Sequence, residues 1–265
     1  MIPEGRLLII GNTKCTPHPD ITPEKAGYPL LSRDILHCLA KEKDDRIEII
    51  VSDARSDRFK KECRDALTET GFSNFDFLPV HDLDLPDEAY YLNRLSKAKT
   101  IFFVGDQSRT YDILKRSGII RFLYRKYMFD SSFTIAGMSL GALCIPGIML
   151  VGREESSNGL IPGLGFLTHC IVDSQFVHKT RFERLASTVI QHREFLGLGL
   201  GSDTALIIEK GWFASCRGSG TIMVINARNV KKEKSNNESS IYVKNLKGRI
   251  LINGCTINLM NGEVA

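Results

Sequence analysis

Short apolar runs alternate with amphipathic segments over the first half of the chain. The apolar runs predict buried strands, and they cover 6–12, 46–54, 74–80, 99–107 and 132–139. The segments between them have apolar residues at helical spacing and cover 29–43, 57–71, 88–98 and 109–127. This alternation is typical of a mostly parallel sheet with helices on both faces. Functional sites in such sheets lie at the carboxyl ends of the strands.

The pattern changes after residue 200. Short β-rich runs follow one another there, separated by turns that contain Gly and Asn. We interpret these runs as an antiparallel extension of the same domain. The predicted fold class is therefore α/β, with a mostly parallel sheet and a β-rich antiparallel C-terminal extension.

A serine between two glycines stands at the end of the fifth predicted strand, in Gly137-Met138-Ser139-Leu140-Gly141. A nucleophile elbow needs this strand–turn–helix context and small residues two positions before and after the nucleophile. The following helix would direct amide groups, that of Leu140 among them, towards a developing oxyanion. The alternative is a packed turn in which the serine is merely small. Cys144 is interpreted as a buried thiol rather than as the nucleophile.

The composition is that of an ordinary globular protein and excludes some classes of function. Hydrophobic residues make up 43% of the chain, charged residues 25%, and the net charge is +4. The basic residues do not gather in runs with aromatic residues, so we expect no nucleic-acid partner. None of the seven cysteines forms a Cys-x-x-Cys pair, and we expect neither metal nor cofactor. Free thiols and the lack of a long apolar run predict a cytoplasmic protein that does not bind membranes.

Several segments stand in an order that resembles a known family. They are FFVGDQSR, AGMSLGA, GLIPGLGFL with IVDSQF and RFERL, FLGLGLGSDTALII, and GTIMVIN. The chain resembles cyanophycinase and its relatives, which include peptidase E, over nearly its whole length. The resemblance implies one domain over 1–265, a three-layer αβα sandwich like that of class I glutamine amidotransferases. It also implies a serine peptidase that cleaves aspartyl or β-aspartyl-arginine peptides, and a homodimer by analogy.

The resemblance also assigns roles around the serine. The family nucleophile falls on Ser139, and the oxyanion amides on Leu140 and Gly105. Gln107 matches the glutamine of the family's Gly-Gly-Asp-Gln loop, whose first glycine is replaced here by Val104. This departure is expected to narrow the approach to the oxyanion position.

Charged residues within and after the segment IVDSQF fall on the substrate-binding positions of the family. They are Asp173, Lys179, Arg181 and Arg184. Arginine suits this task because its planar guanidinium pairs with a carboxylate through two hydrogen bonds. The alternative is charge on a helix surface, with Glu183 as a local partner.

Two catalytic positions depart from the family. Gln175 occupies the place of the catalytic histidine, and Ser202 occupies that of the acid. Glutamine cannot take up and return a proton near neutral pH. His178 is a candidate replacement base, and Asp203 a candidate group to orient it. The alternative for His178 is a partly exposed histidine near a helix start. Gln175 is assigned to substrate binding.

Two hypotheses follow. The first is a serine hydrolase that acts on a small aspartyl peptide through Ser139. The second is a catalytically impaired relative that binds a charged peptide or a partner protein in the retained pocket. A third, a glutamine amidotransferase with a cysteine nucleophile, is disfavoured because the turn carries serine.

Overall fold

The computed structural model describes most of the chain. The described residues are 1–12, 32–51, 57–79, 88–104, 111, 114–115, 118–151, 159–174, 176, 179–234 and 241–264. Helices with stated bounds are α1 (Arg33–Leu36), α2 (Asp57–Glu69), α3 (Glu88–Lys97), α4 (Ile119–Phe129), α5 (Leu140–Leu143) and α6 (Lys179–Gln191).

The strands of the first half are β1 (Arg6–Ile10), β2 (Ile47–Val51), β3 (Phe75–Pro79), β4 (Thr100–Val104), β5 (Thr134–Met138), β6 (Ile148–Val151), β7 (Gly159–Pro162) and β8 (Cys170–Asp173). Those of the second half are β9 (Leu196–Leu200), β10 (Thr204–Glu209), β11 (Phe213–Gly218), β12 (Ile222–Asn226), β13 (Lys231–Lys234), β14 (Ile241–Lys244), β15 (Lys247–Leu251), β16 (Thr256–Asn258) and β17 (Glu263–Val264).

The largest sheet contains nine strands in the order β17-β16-β11-β10-β1-β5-β4-β2-β3. The five strands from β1 to β3 in this order are parallel, and each begins close to its predicted position. The remaining four add to β1 in antiparallel fashion. The predicted α/β fold, with a parallel sheet and an antiparallel C-terminal extension, is confirmed.

The nine-stranded sheet is the middle layer of the structure. On one face, α1 and α2 bury apolar side chains such as Ile35, Phe59 and Leu67 against it. On the other face, α3 and α4 cover the parallel strands. A second sheet of four strands, in the order β15-β12-β9-β8, contributes to the same buried cluster on that face. The outer face of this small sheet is covered in turn by α6.

Strand β9 carries a glycine at every second position. A Cβ added to Gly197 would lie 2.8 Å from Val189 of α6, and one added to Gly199 would lie 2.5 Å from the ring of Phe176. Alternate positions share one face of a strand. The glycines therefore let α6 and Phe176 approach the backbone closely.

One helix is much shorter than the segment over which the sequence predicts it. Within 29–43 the structure has a helix only at α1, and the residues before 32 lie outside the described part of the chain. The carbonyl oxygen of Cys38 accepts a hydrogen bond from Arg6 at 2.8 Å, and that of Leu39 accepts one from Thr100 at 2.7 Å. These tertiary hydrogen bonds replace the helical ones, and the chain turns while Leu39 and Ala40 stay buried.

Among the described residues, no helix combines the length and apolar character needed to cross a bilayer.

Candidate active site

The serine turn has a strained backbone. Ser139 follows β5 directly and precedes α5, and its φ is 55° with ψ −120°. A positive φ is rare for residues other than glycine and is concentrated at functional sites. Because β5 lies between β1 and β4 in the sheet, the turn sits at the middle of the carboxyl edge of the parallel strands. The strand, turn and helix that an elbow requires are therefore present around Ser139.

The two flanking glycines are required by close backbone contacts. A Cβ on Gly137 would lie 2.6 Å from the carbonyl oxygen of Gly141. A Cβ on Gly141 would lie 2.3 Å from the carbonyl oxygen of Phe103 in β4. No real Cβ tolerates such distances to backbone atoms. The spacing Gly-x-Ser-x-Gly thus reflects physical contacts, as the sequence analysis expected.

Three hydrogen bonds to the main chain of Ser139 hold the turn in place. The amide of Ser139 donates to the carbonyl oxygen of Ile10 at the end of β1, at 3.2 Å. Its carbonyl oxygen accepts from the amide of Ala142 at 3.1 Å and from the hydroxyl of Ser174 at 2.5 Å. Ser174 is fully buried and follows β8. The sequence analysis did not single out Ser174, because the family resemblance assigns nothing to it.

Cys144 is a buried thiol. It is 2% exposed, and its Sγ lies 3.0 Å from the carbonyl oxygen of Gly141, to which it donates. Burial raises the pKa of Cys144 to about 12. A protonated, buried thiol is a poor nucleophile, so the serine is the better candidate at this turn.

Three of the predicted binding residues form a cluster beside Ser174. Asp173, at the end of β8, is 2% exposed, and its Oδ2 lies 3.4 Å from Nη1 of Arg181. Burial lowers the pKa of Arg184, the positive charge of Arg181 lowers it further, and Asp173 partly offsets both. Two guanidinium groups therefore share the field of one buried carboxylate. The cluster has an excess of positive charge and suits an anionic group.

Two aromatic rings adjoin this charged cluster. The rings of Phe176 and Phe182 meet edge to face, with centroids 6.3 Å apart. Phe182 is 38% exposed, whereas Phe176 is held over Gly199 of β9. The sequence analysis missed this pair. The signal that could have indicated it was Gly199, whose missing side chain makes room for the ring of Phe176.

Asp203 lies near the serine turn, but its carboxylate has structural partners. Its amide donates a hydrogen bond to the carbonyl oxygen of Asn12 at 3.1 Å. The turn that contains Asp203 therefore lies beyond the end of β1, as the turn at Ser139 does. Its Oδ1 accepts from the amide of Ser32 at 3.2 Å, and its Oδ2 accepts from the amide of Ser219 at 3.3 Å and from the Ser219 hydroxyl at 2.5 Å. Burial alone would raise the pKa of Asp203, but these hydrogen bonds outweigh it and hold the pKa below its usual value.

Other candidates fall outside the described residues. These are Gly105, Gln107, Gln175 and His178. Lys179 begins α6, but the structure does not describe its side chain. Leu140, whose amide is a candidate oxyanion donor, begins α5 with its side chain 39% exposed. Among the described candidates, Asp173 is brought close to Ser139 by its chain neighbour Ser174, whose hydroxyl donates to the carbonyl oxygen of Ser139. Arg181 and Arg184 lie on the other side of this link, near the carboxylate of Asp173.

A polar cleft of about 520 Å³ lies at the amino ends of the parallel strands, beside the start of β2 and β3 and away from Ser139. Its buried Glu48 accepts from Nε of Arg46 at 2.9 Å and from Nε of Arg94 at 3.2 Å. Asp76 lies 3.2 Å from Nη2 of Arg94. The two arginines, Arg46 and Arg94, both pair with Glu48 and Asp76, which is the behaviour of a structural ion-pair network.

Cyanophycinases are similar to this chain in sequence. The cyanophycinase of Synechococcus elongatus is 29% identical over 212 residues, which cover 76% of this chain. The match spans 65% of that relative, slightly less than two thirds of its length. The cyanophycinase of Geminocystis herdmanii is 27% identical over 267 residues, covering 95% of this chain and 93% of the relative. No family model matches the chain.

Two solved structures share the fold. A peptidase from an acI-B1 Actinobacterium superposes with a TM-score of 0.66 at 16% identity, covering 97% of both chains. A peptidase E candidate from Listeria monocytogenes EGD-e gives a TM-score of 0.54 at 11% identity, covering 82% of this chain and 99% of that one. The chain is therefore similar in sequence to cyanophycinases, and it shares its fold with two peptidases. The family resemblance that the ordered motifs indicated is therefore confirmed.

The glycine contacts of the serine turn give a first prediction. Gly141→Ala should destabilise the fold by about 1–3 kcal/mol, since the new methyl group meets the backbone of β4 and forces it to shift. Gly147→Ala is the matched control, because a Cβ there would have no neighbour closer than 3.7 Å. Urea unfolding of both variants checks this. Equal stability of the two would contradict the contact of Gly141 with Phe103.

The partners of Asp203 give a second prediction. Because its folded pKa lies below the unfolded value of 3.8, its ionised form stabilises the fold above that pH. This stabilisation is lost as the pH falls through the folded pKa. Asp203→Asn should therefore lower the free energy of unfolding by about 1–3 kcal/mol at pH 7, with the difference from wild type shrinking below about pH 4.

Asparagine is the suitable replacement because Asp203 has a φ of 53°, which asparagine tolerates. Urea unfolding at several pH values measures the effect. Asp34→Asn, on the exposed side of α1, controls for the loss of one negative charge. A constant difference between wild type and Asp203→Asn from pH 7 to pH 3 would show that Asp203 does not act through its ionised form.

Proposed function

We propose that the chain is a hydrolase of the cyanophycinase type that cleaves an aspartyl or β-aspartyl peptide bond through Ser139. The observation that carries this proposal is the φ of 55° at Ser139, at the carboxyl edge of the central strand β5. A nucleophile elbow requires a strained serine and small residues two positions before and after it, as Gly137 and Gly141 are here. The sequence similarity to cyanophycinases gives independent support.

In the proposed reaction, Oγ of Ser139 attacks the carbonyl carbon of the scissile bond while a general base takes its proton. The amides of Leu140 and Gly105 would stabilise the oxyanion of the tetrahedral intermediate. Collapse of that intermediate breaks the C–N bond, and the protonated base returns its proton to the leaving amine. Water then hydrolyses the acyl-serine ester by the reverse sequence of proton transfers. His178 is the proposed base.

The proposed substrate is a small peptide with an acidic group beside the scissile bond. The positive excess around Asp173, Arg181 and Arg184 lies next to the segment that anchors Ser139. An aspartyl carboxylate could pair with the guanidinium groups while its amide bond lies over the serine turn. Gln107, Gln175 and Lys179 are proposed to complete this subsite. The exposed face of Phe182 would contact the less polar part of the peptide.

One observation favours the second candidate function, a binding protein without effective turnover. Both carboxylate oxygens of Asp203 accept hydrogen bonds from Ser32 and Ser219. In this role the carboxylate secures a turn. With Gln175 and Ser202 at the family's histidine and acid positions, the chain would then bind a charged peptide and release it unchanged.

The location, the assembly and the domain count stay predictions. The expected cytoplasmic protein with one domain over 1–265 fits a peptidase that acts on small peptides. A homodimer is proposed by analogy with relatives of the cyanophycinase type.

A serine-directed fluorophosphonate tests the nucleophile. We expect wild type to form a covalent adduct at Ser139 and Ser139→Ala to form none, as read by mass spectrometry of the peptide that contains the turn. If His178 is the base, the labelling rate should rise with pH through a pKa near about 6.5. His178→Gln should then slow labelling by about 100-fold or more.

His192→Gln, at the end of α6, is the matched control and should label like wild type. Equal rates for His178→Gln and wild type would exclude His178 as the base. Tight peptide binding by a wild-type protein that never labels would establish the second candidate function instead.

The anionic subsite is tested by Arg184→Met. We expect the affinity for an aspartyl-arginine dipeptide to fall by about tenfold or more, because a charge-assisted hydrogen bond is lost. Isothermal titration calorimetry measures this whether or not the peptide is cleaved. Arg184 is preferred to Arg181 for this purpose, since Arg181 pairs with the buried Asp173 and its loss would also destabilise the fold.

Arg125→Met, on the exposed side of α4, is the control for the loss of one positive charge. An unchanged affinity in Arg184→Met would remove Arg184 from the subsite.

A further inference from the structure

Two cysteines far apart in sequence face each other across neighbouring strands. In the antiparallel pair of β11 and β16, Ala214 lies opposite Ile257 and Ser215 opposite Thr256. The next residue of β11, Cys216, donates its amide hydrogen to the carbonyl oxygen of Cys255 at 2.8 Å. Its own carbonyl oxygen accepts from the amide of Gly254 at 3.0 Å. With Gly254 at a φ of 84°, this is a β-bulge in which Gly254 and Cys255 together oppose Cys216.

The two thiols lie on the same side of the sheet. Ala214 and Ile257 both belong to the buried cluster between the two sheets, and side chains two positions apart share a face. Cys216 belongs to that cluster, and Cys255 packs against it. Residues opposite one another in antiparallel strands have Cα atoms about 4.5–5.5 Å apart, and the hydrogen bond from the Cys216 amide to the Cys255 carbonyl oxygen holds the two cysteines as such neighbours at the bulge. Disulfides span Cα separations of about 4.4–6.8 Å.

We propose that Cys216 and Cys255 form a reversible disulfide site that reacts with a low-molecular-weight disulfide. Both are free thiols in the structure, as are the other described cysteines. Cys255 is half-buried, whereas Cys216 is 1% exposed, so a reagent in solution reaches Cys255 first. This inference does not depend on the proposed peptidase activity.

The reaction with oxidised glutathione balances in two steps. The thiolate of Cys255 attacks one sulfur of glutathione disulfide, which forms a mixed disulfide and releases one glutathione thiolate. Cys216 then loses its proton and attacks the sulfur of Cys255, which releases the second glutathione. Two protein thiols are oxidised and one glutathione disulfide is reduced. In the reduced protein, burial and the neighbouring Cys255 raise the pKa of Cys216 to about 11. Burial still acts on Cys216 in the second step and slows it.

The disulfide would secure a crossing between the two sheets. The chain leaves β15 of the small sheet and enters β16 of the nine-stranded sheet through a turn in which the amide of Cys255 donates to Ile252 at 3.1 Å. A bond from Cys255 to Cys216 ties this turn to β11. It also closes a long loop of the chain, which stabilises the folded protein by restricting the unfolded one.

Peptide mapping of the full chain tests the site. The protein is treated with oxidised glutathione, its remaining thiols are alkylated, and it is digested with trypsin. Cleavage after Lys210, Arg217 and Arg249 places Cys216 in peptide 211–217 and Cys255 in peptide 250–265. We expect these two peptides as one species that has lost two hydrogens and separates on reduction. The unfolding temperature of the oxidised protein should rise by about 5–10 °C.

Cys255→Ser should abolish both the linked species and the temperature rise. Cys38→Ser, at another half-buried thiol, should preserve them. A mixed disulfide that persists on Cys255 without the linked peptides would overturn the proposal. A linked species with a lowered unfolding temperature would also overturn it, because the bond would then form only by distorting the strand pair.

Discussion

The close packing of backbone on backbone at the end of β5 is the constraint on which the site depends. Gly141 meets the carbonyl oxygen of Phe103, and Gly137 meets that of Gly141, so that neither position has room for a side chain. The contacts hold Ser139 in a conformation that costs about 1–3 kcal/mol in isolation. The hydrogen bonds from Ser139 to Ile10 and from Ser174 to Ser139 add strands β1 and β8 to the same support. Contacts with β1, β4, β5 and the end of β8 therefore hold Ser139 in place.

The charged residues near Ser139 form two groups with different roles. The cluster of Asp173, Arg181 and Arg184 is partly open and has a positive excess, which suits an anionic ligand. Both carboxylate oxygens of Asp203 accept hydrogen bonds, from Ser32 and Ser219, and these bonds secure the turn in which Asp203 lies.

Much of the fold could be predicted from local pattern. The buried strands before Ser139 were found by their apolar runs. The pattern failed at α1, where Arg6 and Thr100 hydrogen-bond to carbonyl groups that a longer helix would have used. At the site, Gly-x-Ser-x-Gly marked the turn because its residues stand close together in the sequence. Ser174 was missed because its partner Ser139 is distant in sequence. Phe176 was missed because the glycine that makes room for its ring, Gly199, is also distant in sequence.

The position of β1 in the sheet has a consequence for biosynthesis. Its parallel neighbour is β5, and its other neighbour β10 pairs Ala205 with Ile10, about 200 residues later in the chain. Strand β1 therefore leaves the ribosome long before β10 and keeps one edge unpaired until β10 emerges. Long-range pairings of this kind slow folding and expose unpaired strands to aggregation. Truncation after α6 would leave β1 without β10.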